Sequence, residues 1–489
     1  MSICTVHVLP NGAALQVERG TNLLAALRSA GLQPEAPCGG NGTCGKCKVM
    51  VNGQEVLSCK TIVEDHMTVE LPRKAGTVIL THGLQAETVC DGAYDHVLAF
   101  DVGTTTVVAY LLSGKTGDLL AQASCLNPQS QFGADVISRI QYATGGGGPE
   151  LRQVILEALA KLTKEAAKKA GIVPADIGLA VVVGNTAMHH LFLGVDPAPL
   201  TTPPYMPNIY EALELPAAEH LPIAPDGLLR VLPNIAGFVG ADTVGCMVST
   251  RFDQVENLTL MIDIGTNGEM VLGDRDRCLA CSTAAGPAFE GAKISCGMRG
   301  AEGAVDHVWL EGGQVRWHVI GGGEAVGLCG SGLLDLVSVL LETGDITERG
   351  RMPDKEYRLG ETAVVLTQKD VREVQLAKGA IRAGVELMCQ YLGEEVDNIQ
   401  TVYLAGAFGN YLDPAAACRI GMIPPCLLDK IRPIGNAAGE GSKLCALNQA
   451  EFTYSTHLAQ RAQFLELATL PQFQDEFIDA LNFDEDEDD

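Results

Sequence analysis

Two segments of the chain repeat one short pattern: VLAFDVGTTTVVAYLLSG from Val97 and LTLMIDIGTNGEMVLGD from Leu258. In each, an apolar strand ends in an aspartate, turns through glycine and small polar residues, and resumes as a β-branched strand. One such turn is weak evidence of anything. Two of them, with Asp101 and Asp263 separated by 162 positions, predict an internally duplicated fold with two facing turns. Gly103 and Gly265 permit tight turns whose amides and side chains can face phosphate oxygens. Thr104, Thr105 and Thr106 belong to the first turn; Thr266, Asn267, Gly268 and Glu269 belong to the second. Asp101 and Asp263 supply the carboxylates for Mg²⁺, through water, because Mg²⁺ dehydrates reluctantly.

A third element, TVYLAGAFGNYLDPAAACRIG, runs from a strand through Gly406, Ala407 and Gly409 into a helix. Its small residues let an adenosine lie against the backbone, so the expected ligand is ATP. The three motifs, in this order, resemble the superfamily of acetate kinase, sugar kinases, Hsp70 and actin. That resemblance implies an α/β ribonuclease H-like fold, with a first lobe over 96–255 and a second over 256–451. GEAVGLCGSGLLDL and AAGPAFEGAKISCGMRGAEGA read as glycine-rich loops lining the cleft, with Gly330 and Ser331 as nucleotide contacts and Glu290 as a polar liner. ELRQVILEALAKLTKEAAKKAG carries apolar residues at helical spacing after a flexible glycine run, Gly145–Gly148. GLAVVVGNTAMHHLFLG reads as a buried strand turning at Asn185 into a helix. His189 and His190 are adjacent and cannot share a helical face, which favours packing over ligation.

Ahead of this frame lies PCGGNGTCGKCKVMVNGQEVLSCK, with Cys38, Cys44, Cys47 and Cys59 spaced C-x5-C-x2-C-x11-C. Glycines let the backbone wrap tightly with amides free to point at sulfur. Asn52-Gly53 between alternating residues is a strong hairpin signal. If Val51 pairs with Gln54, Cys47 lies opposite Ser58 and Cys59 is delivered beside the other thiols. Upstream, ICTVHVL and ALQVE alternate like paired strands, and Thr21 is placed to cap a helix, NLLAALRSA, that ends at Gly31. The segment resembles β-grasp [2Fe–2S] ferredoxins over residues 2–73, with one residue more than the plant-type spacing in its first gap. A domain over 1–73 and a linker over 74–95 follow. A zinc site would need a second CxxC knuckle close by; Cys278 and Cys281, the remaining CxxC, read as packing residues.

A net charge of −26 argues against nucleic acid and against anionic membrane surfaces as partners. No 18-residue apolar run suggests a membrane span, and the N-terminal residues carry no secretory pattern. Sixteen cysteines without such a pattern point to a reducing cytoplasm. The remaining 452–489 ends in an acidic DEDEDD run that reads as a solvated tail.

Taken with both halves, FGADVISRI, GNTAMHHLFLG, IDIGTNGEM, AAGPAFEGAKI and LAGAFG resemble the reductive activators of corrinoid proteins. The resemblance implies ATP-driven transfer of an electron from the cluster to the cobalt(II) corrinoid of a methyltransferase-system protein, restoring cobalt(I). It also implies a low-potential electron donor and a homodimer. Two other readings remain open at this point: a nucleotide-gated, redox-sensing binding or chaperone module, and a small-molecule kinase with a regulatory ferredoxin domain.

Overall fold

The computed structural model describes residues 3–10, 12–32, 34, 36, 40, 42, 45–72 and 87–483. Cys38 and Cys44, and most of the expected 74–95 linker, lie outside them.

The N-terminal segment forms a five-stranded sheet. Its spatial order is Ala13–Glu18, Ile3–Leu9, Met67–Glu70, Lys48–Val51, Gln54–Leu57. Ile3–Leu9 pairs antiparallel with Ala13–Glu18 and parallel with Met67–Glu70, which is the β-grasp arrangement. Val6, Val8, Val49 and Val69 alternate onto one face and meet Leu23 and Leu27 of the helix Leu23–Ser29. Asn22, not Thr21, caps that helix, its side chain accepting from Ala25 N at 3.2 Å. Thr21 is already bound on both sides, to Glu18 O and from Val63 N, so tertiary pairing shifts the cap by one residue.

Two six-stranded sheets follow. The first runs Leu213–Pro216, Leu228–Val231, Ile177–Gly184, His96–Val102, Thr106–Ser113, Leu119–Leu126. The second runs Ile431–Gly435, Thr401–Ala405, Thr259–Ile264, Gly268–Gly273, Cys278–Thr283, Gln463–Phe464. The duplication read from the sequence is explicit in the pairing. His96–Val102 lies parallel to Ile177–Gly184 and antiparallel to Thr106–Ser113. Thr259–Ile264 has the same two relationships, with Thr401–Ala405 and Gly268–Gly273. Both aspartates therefore sit at equivalent strand ends.

The helix Gly148–Ala170 covers the outer face of the first sheet with Leu151, Ile155, Leu159 and Leu162. Each such side chain contributes roughly 1.5–3 kcal/mol when fully buried. Helix Gln368–Leu392 does the same for the second sheet through Val371, Val374, Ile381 and Val385. Between the sheets lie helices Ala241–Thr250 and Ala437–Leu447, whose shared core takes in Val97 and Val108 of the first sheet and Met261 and Val271 of the second. Their crossing is close because glycine faces glycine: a Cβ on Gly441 would sit 2.0 Å from Gly245 O. The late-chain helix Ala437–Leu447 is thus built into the junction of the two lobes.

One expected loop is a helix. Gly330 and Ser331 open the helix Gly330–Glu342, whose Leu333, Leu334, Leu336 and Val337 are buried; glycine at its start masked the apolar period behind it. Among the described residues, no helix is long and apolar enough to cross a membrane.

Candidate functional site

A cavity of about 510 Å³ opens where the equivalent strand ends of the two sheets face each other. Its lining contains Asp101, Gly103, Thr104, Thr105 and Thr106 from the first turn and Asp263, Gly265, Thr266, Asn267 and Glu269 from the second. Gly330, Ser331 and Gly406 complete the expected set. Gly268 and Gly409 stand outside it: a Cβ on the first would meet Thr283 Oγ1 at 2.9 Å and on the second Leu404 Cβ at 3.3 Å. Both serve close packing under the turns. Ala407 lies in the helix Gly406–Tyr411.

Gly406 is required by space. Its φ is +84°, and a Cβ there would lie 2.5 Å from Asp263 Oδ1 and 3.2 Å from Ile264 O. The third motif thus touches the second Asp-x-Gly-Thr turn directly. Beside it, Phe408 stacks on Phe289 with centroids 4.9 Å apart and planes 2° from parallel, giving the cleft an aromatic wall.

The cleft is strongly acidic. Loss of hydration pushes the carboxyl of Asp101 up to about 6, and Asp263 likewise to about 6, the latter also raised by the charge of Asp101. Desolvation first, then Asp263, raises Asp242; desolvation, then Asp242 and Asp263, raises Glu269. Asp242, Asp263 and Glu269 are thus each raised by a neighbouring carboxylate, a grouping that favours a cation. Among the described residues no three acidic, His or Cys side chains stand close enough to ligate a metal directly, so a bridging hydration shell suits this donor set.

Several contacts that hold the turns escaped sequence reasoning. Asn436 donates to Asp101 Oδ2 at 2.8 Å and to the Tyr110 hydroxyl at 3.2 Å. Asn185 donates to Thr104 Oγ1 at 2.8 Å while capping the helix Thr186–Leu193. Arg139, fully buried, donates to Thr104 O at 2.5 Å and Gly133 O at 2.9 Å. Burial pushes its guanidinium down to about 10, opposed by the charges of Glu290 and Asp135. Asp242, in the first turn of helix Ala241–Thr250, was not singled out either. The asparagines carry a visible signal, a helix-start pattern at GNT and GNAA, but which turn each reaches is decided by tertiary packing. His189 and His190 are buried as expected; His190 Nδ1 lies 2.7 Å from Thr186 O, and burial pushes His189 down to about 3.

In the N-terminal segment the hairpin registers as predicted, Val51 opposite Gln54, with Ser58 N donating to Cys47 O at 2.9 Å. Cys47 is buried and Cys59 half-buried. Cys59 is fixed by Asn22, whose Nδ2 donates to its carbonyl at 2.8 Å. Gly40, Gly42 and Gly45 take φ of +100°, +74° and +68°, the left-handed backbone that lets so short a loop curl. Thiols delivered by a hairpin onto a glycine-wrapped loop fit a [2Fe–2S] cluster. Cys278 and Cys281 are buried in a strand of the second sheet.

The fold and site define a class: a [2Fe–2S] ferredoxin-type domain joined to an ATPase-type duplicated fold whose two Asp-x-Gly-Thr turns line one cleft. Comparison with known proteins agrees. The family described as "C-terminal domain of RACo the ASKHA domain" matches residues 257–489, "RACo middle region" matches 96–255, and "2Fe-2S iron-sulfur cluster binding domain" matches 6–72. The chain is 39% identical to corrinoid activation enzyme RamQ of Eubacterium limosum, over 78% of this chain and 69% of that one. It is 31% identical to the [Co(II) methylated amine-specific corrinoid protein] reductase of Methanosarcina barkeri, over about half of each, 52% and 51%. A solved structure, the reductive activator for corrinoid, iron-sulfur protein, superposes with a TM-score of 0.72 at 28% identity, covering 98% of both chains. The chain belongs to the family of reductive activators of corrinoid proteins, and it is an enzyme.

Proposed function

We propose that the chain uses ATP to drive an electron from its [2Fe–2S] domain to the cobalt(II) corrinoid of a partner methyltransferase-system protein, returning cobalt(I). The observation that carries this reading is a contact between the two halves. Lys46, flanked in sequence by Cys44 and Cys47, donates from Nζ to Ile294 O at 3.0 Å and to Gly297 O at 2.8 Å. Those carbonyls lead straight into Met298 and Arg299, which line the nucleotide cleft. Arg28, on the helix of the same N-terminal domain, lies over the ring of Phe132 of the first lobe, 5.6 Å from its centroid. The ferredoxin domain therefore touches both lobes, so a change in their relative position alters its seating.

In this reading residues 1–73 carry the electron, while 96–255 and 256–451 form the cleft. Asp101 and Asp263 hold hydrated Mg²⁺ against the phosphates. The turn amides and threonine hydroxyls take the phosphate oxygens, and the backbone at Gly406 takes the adenosine. The cluster supplies one electron at a potential near −400 mV, typical of plant-type centres. Each further ~100 mV demanded of one electron costs about 2.3 kcal/mol, a sum that nucleotide-dependent binding of the partner can supply. A low-potential donor reloads the cluster, and the family resemblance supports a homodimer.

The test mixes chemically reduced protein with a cobalt(II) corrinoid protein, anaerobically, and follows the cobalt(I) absorption band. The band is expected to grow with ATP and wild type, and to stay near its no-ATP level with Asp263→Asn. Full reduction by Asp263→Asn would show that the ferredoxin works alone. Phosphate appearing on a small molecule, without a cobalt change, would move the protein to the kinases.

A further inference from the structure

Glu290 ends the short turn Pro287–Glu290 and reaches into the cleft between the two phosphate turns. Its carboxylate accepts from both: Thr105 Oγ1 donates to Oε2 at 2.9 Å, and Thr266 Oγ1 donates to Oε1 at 3.0 Å. Those hydroxyls sit where the terminal phosphate of a bound nucleotide is expected. Glu290 is set apart from the other acids of the cleft. Asp242, Asp263 and Glu269 are each raised by charges within the group formed with Asp101. Glu290 instead acts on the buried Arg139 behind the first turn.

We propose that Glu290 is the general base of ATP hydrolysis, an inference that rests on the ATPase reading above. When nucleotide enters, phosphate oxygens become the better acceptors for Thr105 and Thr266, and both carboxylate oxygens of Glu290 are released. A bare carboxylate facing a phosphate is repulsive. The arrangement that removes the repulsion places a hydrogen-bond donor between them, and water is that donor. The interposed water is then held on the far side of the γ-phosphorus by the residue able to take its proton. The step balances. The water oxygen bonds to the γ-phosphorus, the bond from that phosphorus to the β–γ bridging oxygen breaks, and ADP leaves. One water proton passes to Glu290 and from there to solvent. Such proton transfer contributes typically 10²–10⁴-fold to a rate.

The experiment uses the full chain with its cluster loaded and ATP with Mg²⁺ as the probe. Glu290→Gln is expected to keep nucleotide protection in a melting assay, within about threefold in apparent affinity, while phosphate release falls about 100-fold or more. In Glu290→Ala, added formate is expected to recover part of the lost rate, because a small carboxylate can enter the vacated space and take the proton. Phosphate release by Glu290→Gln at the wild-type rate or faster overturns the assignment and leaves Glu290 as a clip between the turns. Loss of nucleotide protection, or a rate that formate leaves unchanged, overturns it in favour of a purely positioning role. A wild-type protein that releases no phosphate overturns the ATPase reading itself, and is told apart by that control alone.

Discussion

Asn436 donates from Nδ2 to Asp101 Oδ2 at 2.8 Å, joining the mouth of the interlobe helix Ala437–Leu447 to the first phosphate turn, 335 positions earlier. The same amide reaches the Tyr110 hydroxyl, and its oxygen accepts from Gly439 N at 2.7 Å. Its three bonds fix both the helix start and the aspartate. Asn436→Leu keeps the volume and removes every donor. We expect a loss of about 2 kcal/mol of stability, the scale of a hydrogen bond to a charged group together with a lost cap. ATP hydrolysis should fall as well. Chemical denaturation and phosphate release measure the two effects; an unchanged variant would mean that Asp101 holds its place without this bond.

Binding of Mg²⁺ with ATP should release protons. An acid whose folded pKa, about 6 for Asp101 and Asp263, exceeds an unfolded value near 3.9 holds extra proton in the native state between those limits. Stability from this source therefore falls as pH rises from about 4 to 6 and is level above. A cation stabilises the ionised form and lowers both values. Titration calorimetry in buffers of different ionisation enthalpy should show release near pH 6 that fades toward pH 8, and Asp263→Asn should release less. Proton uptake would contradict the electrostatics of the cleft.

Gly406→Ala should cost nucleotide binding, since its Cβ would meet Asp263 Oδ1 at 2.5 Å at a φ of +84°. The native fold should survive, while protection by ATP in a melting assay disappears. Retained protection would show that the backbone at 406 gives way.

Cluster content separates the thiols by place. Cys47→Ala and Cys59→Ala should each abolish the red-brown colour and the pair of labile sulfides. Cys281→Ala should keep both and lose about 1 kcal/mol or more of stability, because its Sγ packs against Met388 Sδ at 3.3 Å in a dry core. Iron and sulfide assays beside thermal melts decide it.

Lys46→Met retains the side-chain length and deletes the two bonds to Ile294 O and Gly297 O. Amide hydrogen exchange over residues 292–298 should quicken, and ATP should alter partner reduction less than in wild type. Unchanged exchange would place the seating of the ferredoxin domain elsewhere.

Local chemistry made part of this protein readable from residue order. The two Asp-x-Gly-Thr turns, the Asn52-Gly53 hairpin and the cysteine spacing are short-range patterns whose geometry follows from glycine, β-branching and strand alternation within some twenty positions. Both the duplicated sheets and the pairing of Val51 with Gln54 follow from them. Helix caps were less secure, as Asn22 shows, because backbone pairing with the distant Val63 engages Thr21. What tertiary structure alone decided is which distant groups meet. Asn436 on Asp101, Arg139 behind Thr104, Glu290 between Thr105 and Thr266, and Lys46 on Ile294 and Gly297 all join residues far apart in the chain. Such contacts depend on how the two sheets, the interlobe helices and the ferredoxin domain pack together. Packing is set by the summed shape and burial of whole elements, and no local stretch of sequence contains it.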